Sequence, residues 1–168
     1  MKTVNNTSET TRKRSWVWGA AAVVGATIGA AALGATTSRP GLWYHQLRKP
    51  VGTPPNAAFG PVWTLLYMGI AYAGVRLVRA PASPERSKAL AWWSTQLALN
   101  AAWSPVFFGV KQPAAAMVII GALVPAIAAT TNAARKVDGP SAVLMLPYLA
   151  WTSYATYLNA GILLKNHV

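Results

Sequence analysis

The chain has 168 residues, 54% of them hydrophobic and only 11% charged, with eight tryptophans, no cysteine and a formal net charge of +12. A water-soluble domain carries about a quarter charged residues, so this chain lacks the polar coat of one. Without cysteine it has neither disulfides nor thiolate metal sites.

Residues 1–14 are polar, rich in Thr and Asn, and carry Lys2, Arg12, Lys13 and Arg14. That composition predicts a disordered basic tail, followed by one membrane domain over 15–166. The run 16–38, WVWGAAAVVGATIGAAALGATTS, holds 23 residues without a charge. At about 1.5 Å per residue it crosses a hydrocarbon core of roughly 30 Å. A cleaved signal peptide over 1–38 is the other reading, but the apolar run exceeds the usual h-region. Gly25 and Gly29 form a GxxxG, extended by Ala21. That spacing lets helix backbones approach closely, inside the bundle or at a dimer seam; packing inside the bundle is the expectation.

Four further apolar segments follow, at approximately 58–75, 89–110, 113–134 and 141–164. The sequence therefore predicts an all-α membrane protein, a five-transmembrane-helix bundle. A long first connection, about 39–57, contains Pro50, Pro54 and Pro55. The second connection is polar, the third is very short around 109–113, and the fourth ends in Asp138-Gly139-Pro140, which stops a helix.

The cations are unevenly shared. Ten (Lys2, Arg12, Lys13, Arg14, Arg76, Arg79, Arg86, Lys88, Arg135, Lys136) fall on the side of the N-terminus, and five (Arg39, Arg48, Lys49, Lys111, Lys165) on the other. Such a bias orients a membrane protein with its N-terminus on the positive, cytoplasm-like side. It explains the net charge without nucleic acid. A bacterial membrane is the expected location, with a mitochondrial outer membrane as the alternative.

Conventional catalytic sets are missing. The acids are Glu9, Glu85 and Asp138, all in the tail or in connections, and the histidines are His45 and His167. No acid–base pair, nucleophile–base pair or metal cluster can be placed within the membrane. His45 as a haem-iron ligand is the sharp reading of a lone loop histidine; polar surface is the plain one.

The aromatic residues divide by depth. Trp16, Trp18, Trp92 and Trp93 stand at helix starts, as an interfacial belt does. Trp63, Trp103 and Trp151 lie elsewhere, and Trp151 is nearly central in the last helix, where an indole needs a partner or a cavity. Gln96, Asn100 and Trp103 share one helical face, as do Tyr148, Trp151, Ala155, Leu158 and Asn159. Amides in hydrocarbon must find partners, so these faces point inward. The amides either bond helices together or serve a largely apolar, aromatic-lined cavity. The first connection lies on the same side as Trp63 and Trp103. At its length it suits a lid, which its prolines make cheaper to order.

Three stretches, WYHQLRKP…PPNAAFGPVWTLLY (43–67), QLALNAAWSPVFFG (96–109) and PYLAWTSYATYLN (147–159), carry a resemblance. The chain resembles the TspO/MBR family of tryptophan-rich sensory and translocator proteins, from about Trp16 to Asn166. The resemblance implies a five-helix bundle, often a homodimer, with a pocket for porphyrins, haem-like tetrapyrroles, sterols and benzodiazepine-type ligands. No obligatory cofactor is implied; porphyrin or haem enters as ligand, and membrane lipids are further partners. By position, Phe59 and Trp63, Asn100 and Trp103, and Trp151, Ala155 and Leu158 would line the pocket. Trp43, Pro54 and Pro55 would shape the lid. The chain departs from relatives at Ala57, Ala101 and Ala115, where many carry Trp. It also departs at Ala160 and Leu164 of the animal sterol motif; a weak reverse pattern, Arg39…Tyr44…Leu47, remains. Three functions compete: a tetrapyrrole- and lipid-binding receptor, sensor or transporter; a light-dependent porphyrin-degrading enzyme using pocket tryptophans; and a passive helical scaffold.

Overall fold

The computed structural model describes residues 3–38 and 41–166, with side chains from Trp16 onward. Arg39, where the reverse sterol-type pattern begins, His167, and the side chains of Arg12, Lys13 and Arg14 lie outside the described residues. All regular structure among the described residues is helical. Five helices are long: α1 (Thr3–Thr37), α3 (Asn56–Arg79), α4 (Pro84–Ser104), α5 (Pro113–Arg135) and α6 (Gly139–Asn166). A short α2 (Leu42–Gln46) lies between the first two. The helical backbone of α1 reaches back to Thr3, whereas its apolar stretch is Trp16–Thr37.

Local chemistry fixes the ends. Ser83 caps α4 by accepting from the Arg86 N–H at 3.1 Å, with Pro84 in the first turn, where its missing N–H costs nothing. Pro55 precedes α3, Pro113 opens α5, and Asp138 accepts from the Ser141 N–H at 2.9 Å to cap α6. After Ser104 the helix widens into a π turn, Pro105–Gly109. Pro105 brings no N–H, and Val110 bonds back five residues to its carbonyl at 2.9 Å. Lys111 then takes a left-handed φ of 58°, which reverses the chain.

Inside the helices, hydroxyls find partners along their own backbone. Thr27, Thr130, Thr131 and Thr152 each donate to the carbonyl four residues earlier, at 2.7–2.9 Å. This is how polar side chains survive in an apolar medium. Three helical stretches are long and apolar enough to cross a membrane: Trp16–Thr37, Asn56–Arg79 and Pro113–Arg135. α4 and α6, also expected as spans, do not reach that apolarity. α4 opens with Glu85, Arg86 and Lys88, both helices contain Ser, Thr, Trp and amides, and α6 adds Tyr148, Tyr154 and Tyr157.

α5 packs against α4 and α6, α1 against α3 and α4, and α3 against α6. Close approach needs small residues. A Cβ on Gly74 would come within 2.7 Å of both Val23 and the Trp93 ring, and one on Gly19 within 2.6 Å of Val78. Trp93 is therefore no part of an interfacial belt: it is 3% exposed and donates its indole N–H to the Ile70 carbonyl at 3.0 Å. Its small glycine neighbour, one helix away, draws the ring inward. The GxxxG is a second correction. Gly25 and Gly29 are exposed and nothing would meet a Cβ on either, because α1 turns Val23, Thr27 and Ala30 to its neighbours instead.

One ion pair ties the positive end together. The Arg76 guanidinium grips Asp138 with two bonds, Nε to Oδ2 at 2.8 Å and Nη2 to Oδ1 at 2.9 Å. The Ser141 hydroxyl also donates to that carboxylate. The end of α3 is thereby held to the α5–α6 turn.

Candidate functional site

A cavity of about 630 Å³ opens between the helices, a size usual for small-molecule sites. Its aromatic walls come from Phe59, Trp63 and Tyr67 of α3, Trp103 of α4, Phe108 of the π turn and Trp151 of α6. Aliphatic surface comes from Ile120 and Leu123 of α5, from Ala155, and from α1 through Val24, Ile28 and Ala31.

The rings hold one another. Phe59 meets Trp151 edge-on at 5.8 Å, and Trp63 meets Tyr148 edge-on at 6.2 Å. Trp103 stacks on Phe107 at 5.0 Å. Offset and edge-to-face pairs of this kind keep large rings in place. The π turn is what directs Phe107 inward, 2% exposed, and leaves Phe108 on the cavity wall.

Polar groups are few and ordered. The Tyr67 hydroxyl donates to Asn100 Oδ1 at 2.6 Å, and Asn100 Nδ2 donates to the Tyr148 hydroxyl at 2.9 Å. This chain joins α3, α4 and α6, and Tyr67 and Asn100 both line the cavity. Two donors remain unspent. The indole N–H groups of Trp103 and Trp151 are both buried without an acceptor, and both residues line the cavity. A buried donor left unpaired costs about 1–3 kcal/mol.

Six of the ten residues expected at the pocket line this cavity: Phe59, Trp63, Asn100, Trp103, Trp151 and Ala155. Four do not. Leu158 is 7% exposed and sits in the protein core one turn beyond Ala155. Trp43 packs edge-on against Phe107 at 5.9 Å, behind the wall. Pro54 and Pro55 lead into α3, Pro55 exposed at its N-terminus. Tyr67, Tyr44, Phe108 and Ser104 join the wall unannounced. Tyr67 stands four residues after Trp63, a helical spacing that marks it in retrospect; no such signal marks Tyr44. The other amides serve packing. Asn159 donates to the Pro113 carbonyl at 3.0 Å, joining α6 to α5, whereas Gln96 bonds only the Trp93 carbonyl of its own helix at 2.8 Å.

The first connection runs along the C-terminal half of α6. Arg48 and Asn166 exchange two bonds of 2.9 Å, backbone N–H to Oδ1 and Nδ2 to backbone carbonyl. Pro50 lies on Gly161, where a Cβ would come within 2.6 Å of its ring. The Tyr157 hydroxyl donates to the Val51 carbonyl at 3.1 Å and that of Tyr154 to the Gly52 carbonyl at 2.5 Å. Gly52, at φ +89°, makes the turn that follows. Within this segment the Lys49 ammonium covers the Tyr44 ring at 4.6 Å, and Tyr44 is itself a cavity residue.

Apolar helices of membrane-crossing length around an aromatic cavity define an integral membrane protein of the packed-helix class. The profile of the TspO/MBR family matches residues 19–164, and the chain belongs to that family. It is 38% identical over 134 residues to the tryptophan-rich sensory protein of Cereibacter sphaeroides, covering 80% of this chain and 83% of that protein. It is 41% identical over 133 residues to the tryptophan-rich protein TspO of Chlorobaculum tepidum, covering 77% and 84%. Against the translocator protein of Homo sapiens it is 41% identical over 128 residues, covering 74% and 75%.

Proposed function

We propose that this protein is a membrane receptor or sensor whose cavity binds a flat, largely apolar ligand carrying hydrogen-bond acceptors. Protoporphyrin IX and haem-like tetrapyrroles are the leading class, with sterols and benzodiazepine-type molecules as further candidates. All five long helices cross the membrane in this reading, and residues 47–53 form the edge of a lid over the cavity. The observation that carries the reading is the aromatic cavity lined by Phe59, Trp63, Trp103 and Trp151, with the indole N–H groups of Trp103 and Trp151 buried and without acceptors. The rings offer stacking to a planar ligand, and the two donors offer bonds to its carbonyl or carboxylate oxygens. The exposed Gly25–Gly29 face supports a homodimer seam outside the cavity.

Titration of the purified protein with protoporphyrin IX, followed by tryptophan fluorescence, tests this reading. Saturable quenching is expected, weakened in a Trp63→Phe/Trp151→Phe variant. A porphyrin bearing only alkyl substituents should bind less tightly, because it brings no carbonyl or carboxylate oxygen for the indoles. Quenching that does not saturate, or that the double variant leaves unchanged, defeats the proposal.

A further inference from the structure

We infer that Lys49 selects for a carboxylate on the ligand: the acid form of an apolar ring compound binds with its carboxylate toward the end of the cavity where Lys49 stands, and a neutral ester gains nothing there. This inference rests on the proposed ligand-binding cavity and adds the residue that tells its ligands apart.

The cavity is more polar at one end. Ser38 directly follows α1, Asn56 opens α3 and Ser104 closes α4. All three line the cavity, so it reaches the end of the bundle remote from the Arg76–Asp138 pair. There the Ser38 hydroxyl donates to Ser104 at 3.0 Å, and Asn56 is exposed. Further along α1 and α3 the wall turns apolar, with Val24, Ile28, Met68 and Ala71. A guest with an apolar body and a polar head fits such a space with its head toward Ser38 and Asn56.

Tyr44 belongs to the same wall, and the Lys49 ammonium rests on its ring, 4.6 Å from the centroid. The backbone on either side of Lys49 is fastened to α6, through the Arg48–Asn166 bonds and the seat of Pro50 on Gly161. The root of the side chain is thus fixed while its four-carbon stem can swing. A cation lying on a phenol ring is held less strongly than one hydrogen-bonded to a carboxylate. A carboxylate arriving within reach therefore takes the ammonium.

No acidic side chain of the protein competes for it. Among the described residues the acids are Glu85 and Asp138. Both lie at the opposite end, and Asp138 is already held by Arg76. Lys49 shares its own end with Arg48, Lys111 and Lys165. Four cations without a neighbouring acid make a positive field that draws an anion.

Protoporphyrin IX and its dimethyl ester, titrated by tryptophan fluorescence into the purified protein, test this. The wild type should bind the diacid more tightly than the ester, and added salt should narrow the gap. Lys49→Gln keeps most of the stem and removes the charge. It should weaken diacid binding about tenfold, as loss of one charge-assisted bond does, and leave the ester, which reports an intact cavity, at its wild-type affinity. Lys49→Arg should restore the preference. Equal affinities for diacid and ester in the wild type overturn the carboxylate contact. Equal weakening of both ligands in Lys49→Gln overturns it too, and shows that Lys49 acts only by holding Tyr44. In either case saturable quenching leaves the binding cavity standing. If neither compound quenches saturably, the proposed function fails and the selectivity with it.

Discussion

The Tyr154 hydroxyl donates to the Gly52 carbonyl at 2.5 Å, across 102 residues of chain. Tyr154 also lies against Trp151, with ring centroids 5.9 Å apart. One side chain therefore touches both the first connection and a wall of the cavity. Replacing it by Phe keeps the ring and removes the bond, worth about 1 kcal/mol. Backbone amides of residues 48–53 should then exchange with deuterium about fivefold faster. Unchanged exchange there would show that the bond does not hold the segment.

Gly161 tests the same segment sterically. A Cβ at this position meets the Pro50 ring at 2.6 and 2.7 Å. Gly161→Val should displace Pro50 and weaken the paired Arg48–Asn166 bonds. The expected readout is faster proteolytic nicking between residues 46 and 53, with the thermal midpoint lowered by a few degrees, as a loss of about 1 kcal/mol gives in a chain of this size.

Asn100 is the centre of the polar chain between Tyr67 and Tyr148. Asn100→Ala removes both bonds and leaves two phenols in apolar surroundings. The loss should be about 2–4 kcal/mol, seen as unfolding at lower temperature in detergent. Tyr67→Phe should cost about 1 kcal/mol alone and nearly nothing further in the Asn100→Ala background. Additive effects would mean that the two side chains do not act as a pair.

The glycines of α1 and α3 should separate cleanly. Gly74→Ala places a methyl within 2.7 Å of Val23 and Trp93 and should cost about 1–3 kcal/mol by overpacking. Gly25→Ala meets nothing within 4 Å and should leave thermal stability unchanged or slightly raised, since Ala is the better helix former. A large loss at Gly25 would point to a contact outside the single chain.

Asp138 gives a pH dependence. The Arg76 guanidinium holds its carboxyl well below the usual carboxylate range, helped by bonds from the hydroxyl and N–H of Ser141 and opposed by partial burial. A group whose folded pKa is depressed contributes stability above its unfolded value, about 3.9, and loses it as pH falls below. Thermal stability should therefore fall as pH drops below about 4, and Asp138→Asn should flatten that fall. Asp138→Ala should cost about 1 kcal/mol from the lost α6 cap alone. A wild-type profile identical to that of Asp138→Asn would rule out the pairing as its source.

The sequence alone settled what depends on local pattern. Uncharged runs of membrane length, prolines and cap residues at their ends, and a skewed distribution of cations are properties of neighbouring residues. From them follow the helices and their order. The inward faces of α4 and α6 were legible for the same reason: 3.6 residues per turn put Asn100 with Trp103 and Trp151 with Ala155, and all four line the cavity.

Tertiary structure decided what depends on which helix stands opposite. Trp93 has the sequence neighbourhood of an interfacial residue, yet the gap above Gly74 takes its ring into the core. The GxxxG of α1 has the spacing of a packing motif, yet it faces outward because Val23, Thr27 and Ala30 on the other side of the helix make the contacts. Trp43 and Leu158 share segments with pocket residues, but the cavity is lined by Tyr44, one residue along from Trp43, and by Ala155 without Leu158 one turn further on. A helical repeat states which residues share a face and is silent on which face meets a cavity; only the packing of α1, α3, α4, α5 and α6 around one unfilled space supplies that.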